Sequence, residues 1–227
     1  NITVTGLVGS YYGALCNYLA DSHEVIPFGY DWRQSITRAA GELALEVKKV
    51  ADRTREPIRF IAHSMGGLVM RRFIQDHPDL WDTICGRQGA RFIMLGTPNR
   101  GSYDMVESLA GMAKTIKQLA LLDLDHSTSE IVDIVAAYQG ALELLPQEKG
   151  KQEEWTYFST DAWAELRPLT DSKVQMSAQR LSAAKRAIQD LPEEIPHAEC
   201  IRYVAGWAPK TVCGAKVESG RLVFQAT

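Results

Sequence analysis

The stretch Ile58-Arg59-Phe60-Ile61-Ala62-His63-Ser64-Met65-Gly66-Gly67-Leu68 decides the reading of this chain. Its first half is a compact apolar run of strand length. Its second half opens a helical pattern that runs from Leu68 to Gln75 and stops at His77-Pro78. Between them, His63 to Gly67 is expected to form a tight turn with Ser64 at its apex. A serine hydroxyl is a poor nucleophile and must stand clear of the backbone, so that a base can take its proton while a carbonyl approaches. A sharp strand-to-helix turn does this by holding the serine in a strained conformation. The residues two before and two after it have to be small, because strand and helix pass close together there. Ala62 and Gly66 meet that need, and Gly67 adds clearance where the helix begins. The same turn puts the backbone N–H of Met65 at a helix N-terminus beside the serine oxygen, which is half of an oxyanion hole. The pentapeptide alone is a weak signal, and the strand before it and helix after it give it weight. The competing reading is that Ser64 is an ordinary helix N-cap.

Working outward, the clearest helix precedes this stretch. Ile36, Ala40, Leu43, Val47 and Val50 form one apolar stripe, and Arg38, Glu42, Glu46, Lys49 and Arg53 lie opposite. Glu56-Pro57 ends it. Further upstream, Ile2 to Thr5 and His23 to Pro27 read as short strands, with helical spacing over Tyr11 to Ala20 between them. Downstream, Phe92 to Leu95 is a buried strand followed by Gly96-Thr97-Pro98. Strands and helices alternating at this spacing imply parallel βαβ units, hence an α/β fold with a mostly parallel sheet and helices on both faces. Residues 102–196 differ: they read as mostly helical, with leucines at Leu119, Leu121, Leu122 and Leu124, an apolar run at Ile131 to Val135, and a helix over Asp171 to Leu191. A long helical insertion between two sheet strands is expected to pack above the sheet as a cap, with these leucines in its core. Glu199 to Ala205 returns to strand character, and Val212 to Val217 with Leu222 to Gln225 flank Glu218-Ser219-Gly220 as a hairpin. The expected organisation is therefore a core made of residues 1–101 and 197–227 and a cap made of 102–196.

The 227 residues are enough for one α/β domain with a real core. With 45% apolar and 23% charged residues, the balance is that of a globular protein. A net charge of -3 gives no basic face for nucleic acid. Cys16, Cys85, Cys200 and Cys213 form no Cys-x-x-Cys pair and no Cys/His cluster with metal spacing. Four separate thiols suit a reducing compartment such as the cytoplasm, and a disulfide stays open as the alternative. No apolar run is long enough to span a bilayer, and no signal peptide is visible. Asn1 leads directly into a strand-like run and Leu222 to Thr227 reads as a strand that stops, so both ends look cut.

With these residues in view, the chain resembles a known family. Ala62-His63-Ser64-Met65-Gly66-Gly67 is similar to the nucleophile elbow of α/β-hydrolase lipases. Tyr30-Asp31-Trp32-Arg33 resembles a block of the lecithin:cholesterol acyltransferase and lysosomal phospholipase A2 group, and Leu95-Gly96-Thr97-Pro98-Asn99-Arg100-Gly101-Ser102 resembles another. The blocks occur in the family's order, cover Gly6 to Ser102 well, and reappear near Tyr203 to Gly206; the chain looks closer to bacterial relatives. The resemblance implies an α/β-hydrolase fold and an acyl-enzyme on Ser64. It also implies lipid-ester substrates, with water or an alcohol as acceptor, and neither metal nor organic cofactor. In the family the Tyr30 to Arg33 block is a structural corner near the active-site floor; Asp31 and Arg33 are expected to make buried charge-assisted bonds with Trp32 packed beneath. Two departures stand out. Ala62 replaces the usual Gly. The family's catalytic Asp and His would follow Thr227, and its second oxyanion donor would precede Asn1, with Gly6-Leu7-Val8-Gly9-Ser10 a weak stand-in.

Of the five histidines, His63 points away across the turn, His23 and His77 read as structural, His126 as a surface residue of the cap, and His197 comes too early for the family's Ser-Asp-His order. Trp155, Tyr157, Phe158 and Trp163 either line an acyl pocket or touch a membrane surface, or else pack the cap on the sheet. The expected function is that of a serine esterase, lipase or O-acyltransferase in lipid metabolism, inactive as these 227 residues alone and without an evident obligate protein partner. The alternative is a non-catalytic binding or effector-associated module on the same fold; a thioesterase or peptidase with the same turn is a closer rival.

Overall fold

Strands β1 (Arg59–His63), β2 (Arg91–Leu95) and β3 (Ile201–Val204) form a parallel sheet in the order β1-β2-β3. Phe60 stands beside Phe92, which stands beside Ile201. The computed structural model describes residues 6–123, 125–147, 156–208 and 210–226. The helices are α1 (Gly9–Ala20), α2 (Ile36–Arg53), α3 (Met65–Asp76), α4 (Pro78–Cys85), α5 (Tyr103–Leu109), α6 (Lys114–Leu122), α7 (Thr128–Ala136), α8 (Gln139–Leu142), α9 (Thr160–Leu166) and α10 (Ala178–Gln189). Strands β4 (Val212–Glu218) and β5 (Arg221–Ala226) make a separate antiparallel hairpin. Ser219 and Gly220 turn it with φ of 50° and 74°, as a two-residue turn between right-twisted strands requires.

Two hydrophobic clusters carry the molecule. The first lies between one face of the sheet and α2, α3 and α4. Ile36, Leu43 and Val47 of α2 meet Leu68, Phe73 and Ile74 of α3, with Phe92 and Met94 beneath. The second gathers α5, α7, α9 and the first half of α10, and includes Ala215 and Leu222 of the hairpin. Helix α10 serves both: Leu181 and Ala184 enter the second cluster and Ile188 the first.

A strap over residues 139–147 joins the two regions through the backbone. Gly140 N–H donates to Arg33 C=O (3.2 Å), Ser102 N–H to Leu144 C=O (2.8 Å) and Gln147 N–H to Arg100 C=O (3.1 Å). The approach is close enough to demand glycine. A Cβ at Gly140 would lie 2.1 Å from the Trp32 carbonyl oxygen, and one at Gly101 2.2 Å from that of Leu145.

Several expectations need correction. Residues 23–27 form no strand: Ile26 is exposed, and Pro27 has no N–H to give a ladder. The strand expected at Ile2 to Thr5 lies outside the described residues. Helix α1 buries none of its residues, with Tyr11 and Tyr18 exposed. Helices on both sheet faces were expected. In the described residues, Ile61 and Val204 on the face away from the first cluster are exposed, and α1 reaches that side at Tyr12 and His63. The helix expected over 171–191 starts only at Ala178. Ser172 turns the chain by accepting from Val174 N–H, and Ser177 caps the helix by accepting from Arg180 N–H. Helix α4 is an element beyond those expected, and Pro78 at its first position and Asp79 in its first turn are standard start signals for it.

Candidate active site

Helix α3 begins immediately after Ser64, three residues earlier than its apolar pattern suggests. Ser64 has φ 53° and ψ -128°, one of three described non-glycine residues with positive φ. Such a conformation costs roughly 1–3 kcal/mol and persists only where its surroundings impose it. Here Ser64 N–H donates to Leu95 C=O (2.9 Å) across the sheet, and Ser64 C=O accepts from Gly67 N–H (3.0 Å). The side chain makes no capping hydrogen bond to α3, so helix capping is not its role. Ser64 is half-buried, and Met65 N–H occupies the first helical position, where no intrahelical acceptor exists.

The tight spot is one residue from where the small-residue rule puts it. A Cβ on Gly66 would sit 3.7 Å from the Ala62 Cβ, an ordinary contact. A Cβ on Gly67 would fall 1.9 Å from Thr97 Oγ1 and 2.7 Å from its Cγ2. Thr97 lies in the loop between β2 and α5, is 2% exposed, and its Oγ1 has no hydrogen-bond partner among the described residues. Its carbonyl accepts from Tyr203 Oη (3.0 Å), which ties the end of β3 to the same loop. In sequence, Gly96-Thr97-Pro98 reads as the stop after a strand and as part of the Leu95 to Ser102 block; its contact with α3 is tertiary and leaves no local signal.

The Tyr30 to Arg33 corner packs beside this turn. Arg33 Nε and Nη2 donate to Asp31 Oδ1 and Oδ2, both at 2.7 Å, and these hydrogen bonds hold the Asp31 carboxyl down to about 2. The pair is half-exposed rather than buried, and Trp32, expected beneath it, is 48% exposed and stands edge-on to Tyr138 at 5.5 Å. The reason is the strap: Gly140 occupies the inner side of this corner against the Trp32 and Gln34 carbonyls, so the indole turns outward. Burial, then the neighbouring Tyr12, pushes the Tyr30 hydroxyl up to about 12. Glu143, on the strap, is 1% exposed; its Oε2 accepts Ile36 N–H at the start of α2 (2.7 Å), and burial pushes its carboxyl up to about 7. Nothing in the local pattern marked Gly140 or Glu143.

Each described histidine has another partner than Ser64. His63 Nδ1 is 2.8 Å from Tyr12 Oη, His23 lies against Ser22 and Arg59, and His77 stacks near Phe73. His126 pairs with Asp123, and His197 with Asp82 and Glu199. No group of three metal-ligating side chains is assembled among the described residues. No helix among them is long and apolar enough to cross a membrane.

The cap aromatics resolve toward packing. Tyr157 and Trp163 are buried, with Trp163 Nε1 donating to Tyr157 C=O (2.8 Å), and Phe158 packs against the same cluster. Trp155 and Leu124 lie outside the described residues. Leu119, Leu121 and Leu122, expected in the cap core, are instead 52%, 80% and 82% exposed, because α6 buries only Ile116.

Comparison with known proteins adds three findings. An uncharacterized protein of Saccharomyces cerevisiae, YJR098C, is 41% identical over 51 residues, which is 22% of this chain and 8% of that protein. The crystal structure of the Tle4–Tli4 complex contains a chain with a TM-score of 0.46 and 18% identity, matched over 72% of this chain and 41% of its own length. This chain thus spans well under half the length of either. The family model for lecithin:cholesterol acyltransferase matches residues 17–208, which include Tyr30 to Arg33, Ser64 and the Thr97 loop. The chain belongs to the lecithin:cholesterol acyltransferase family.

Proposed function

We propose that this chain carries the nucleophile of a serine esterase, lipase or O-acyltransferase acting on lipid esters, with the three-stranded sheet at the centre of an α/β-hydrolase core. The backbone of Ser64 is the observation that supports this most. A positive φ at a serine with no capping bond, between a strand and a helix, is strain without structural return, and strain of this kind gathers at nucleophile elbows. In this reading Ser64 Oγ attacks the ester carbonyl, the alcohol leaves, and water or a second alcohol takes the acyl group. Met65 N–H donates to the oxyanion, a contact of a kind worth about 3 kcal/mol in the transition state. Ala62, His63, Gly66 and Gly67 shape the turn, and the Asp31–Arg33 corner supports it from below. The lipid surface meets the end of α6, where Leu121 and Leu122 stand exposed.

Since none of the described histidines is bonded to Ser64, the proposal takes the general base and its orienting acid from outside these 227 residues. These residues alone then give no appreciable ester turnover, because a serine without its base loses several orders of magnitude in rate. A fluorophosphonate probe applied to the full-length protein is expected to label Ser64. Labelling that Ser64→Ala leaves undiminished would overturn the assignment.

The engagement of all five histidines elsewhere is also what favours the rival, a non-catalytic module of the same fold. Ester turnover by the full-length protein that Ser64→Ala abolishes decides for the enzyme. Probe-inert Ser64 and no turnover decide for the module.

A further inference from the structure

Helix α4 and the segment entering β3 run side by side with a constant offset. Trp81 Nε1 donates to Pro196 C=O (3.0 Å), and His197 Nε2 lies 3.0 Å from Asp82 Oδ1; both pairs are 115 positions apart. From Asp82 to Cys85 the α-helix advances about one turn. From His197 to Cys200 the chain makes a 3₁₀ turn, closed by Cys200 N–H donating to His197 C=O (2.9 Å). The same offset therefore brings Cys85 to Cys200.

We infer that Cys85 and Cys200 form a dithiol that a peroxide closes to a disulfide, tying α4 to the start of β3. Cys200 is 6% exposed and Cys85 half-buried, and both are free thiols in the structure. Burial, then the adjoining Cys200 thiol, and then the Glu199 and Asp82 carboxylates push the Cys85 thiol up to about 12, so it rests protonated at neutral pH. Cys16 on α1 and Cys213 on β4 belong to other elements. The step balances as two thiols and one hydrogen peroxide giving one disulfide and two waters. With Cys85 held protonated, Cys200 gives up its proton and attacks peroxide as the thiolate; the O–O bond breaks, Cys200 becomes the sulfenic acid, and the released hydroxide takes the proton and leaves as water. The second sulfur then displaces the sulfenic oxygen, which departs as the second water. The bond would close a loop of more than a hundred residues, the class in which a cross-link restricts the unfolded chain most. It would also anchor the strand whose far end, through Tyr203, holds the Thr97 loop. None of this depends on Ser64 being a nucleophile.

The test is peroxide treatment of the protein, alkylation of remaining thiols and peptide mapping. The expected result is the loss of two hydrogens, with the Cys85 and Cys200 peptides joined until dithiothreitol is added, and a melting midpoint raised by roughly 5 °C. Cys85→Ser should abolish the link, and Cys16→Ser with Cys213→Ser should leave it in place. Cys85→Ala repeats the first control should the serine variant fail to fold. Recovery of Cys85 and Cys200 as singly alkylated thiols, oxidation of either to a sulfinic acid without the link, or a link to Cys16 or Cys213 would overturn the inference.

Discussion

Helices α2 and α6 show how differently the two regions are built. In α2, Ile36, Ala39, Ala40, Leu43, Ala44, Val47 and Ala51 are buried along one stripe, and charged residues occupy the other. In α6 only Ile116 is buried, while Leu119, Leu121 and Leu122 face outward. Helix α2 turns nearly all of its apolar residues into the core, Leu45 excepted. The helical region keeps some on the surface, and its junction with the sheet combines α10, which enters both clusters, with the 139–147 strap, where backbone hydrogen bonds run beside the buried Leu142 and Leu145. The exposed leucines are therefore surplus to the core, whereas the glycine-containing strap, with Leu142 and Leu145 fully buried, is part of the junction.

Breaking that junction should have the largest effect. Gly140→Ala drives a methyl into the Trp32 and Gln34 carbonyl oxygens, at 2.1 and 2.5 Å, and neither is a flexible side chain that can step aside. A loss of about 4 kcal/mol in urea unfolding is expected, at the upper end for single substitutions. Amide exchange should show Ser102 and Gly140 losing protection before the β1 and β2 amides do. Uniform loss across both regions would show that the strap is not their junction.

The strap also carries a pH dependence. Glu143 faces Ile36 N–H of α2, Gln139 Nε2 of α8 (3.3 Å to Oε1) and the charge of Arg72 on α3. Burial outweighs all three and pushes its carboxyl from the ordinary 4.5 up to about 7. The folded state thus holds a proton that the unfolded chain releases. The associated stability is fully present below about pH 4.5 and is lost as pH rises through 7, by on the order of 3 kcal/mol. Glu143→Gln keeps an acceptor for Ile36 N–H and removes the titration. Its unfolding free energy should be flat relative to wild type between these pH values, and higher than wild type at pH 8.

Local pattern carried the sheet region and failed at its contacts. The α2 stripe, the β1 and β2 runs and the Glu218-Ser219-Gly220 turn are short-range signals, and each formed the element expected. The strand-to-helix turn at Ser64 was legible because strand, serine and glycines are adjacent in sequence. Thr97, Gly140 and Glu143 were not, since each acts on residues 30 or more positions away. In the helical region the leucine run was read as core because apolar spacing cannot say which side of a helix meets a partner. Burial of Tyr157 and Trp163 depended on the folding of the whole cluster. The His23 to Pro27 run has strand composition but no neighbouring strand to pair with among the described residues.

Smaller effects sharpen the picture at the turn itself. Gly67→Ala meets the Thr97 side chain, which can yield in part, and should cost about 2 kcal/mol. Thr97→Ala in the same chain should restore most of that loss. Gly66→Ala has only ordinary contacts to meet, and gains from alanine's helix propensity up to about 1 kcal/mol. Equal destabilisation by the two substitutions would return the tight approach to the position that the small-residue rule names. A thermal or urea series on the three variants separates the outcomes.

The smallest effect on stability tests the other side of the comparison. Leu121→Ser with Leu122→Ser removes two side chains that are 80% and 82% exposed, so unfolding should change by less than about 0.5 kcal/mol. Leu142→Ala, a fully buried residue of the same region, should cost about 3 kcal/mol. The double serine variant should instead weaken sedimentation of the protein with phosphatidylcholine vesicles, since each leucine lost removes apolar surface that would otherwise enter the interface. A protein that sediments equally well with or without these leucines has its lipid contact elsewhere. A double variant that unfolds like Leu142→Ala would instead make the leucines part of the core and erase the contrast between α6 and α2.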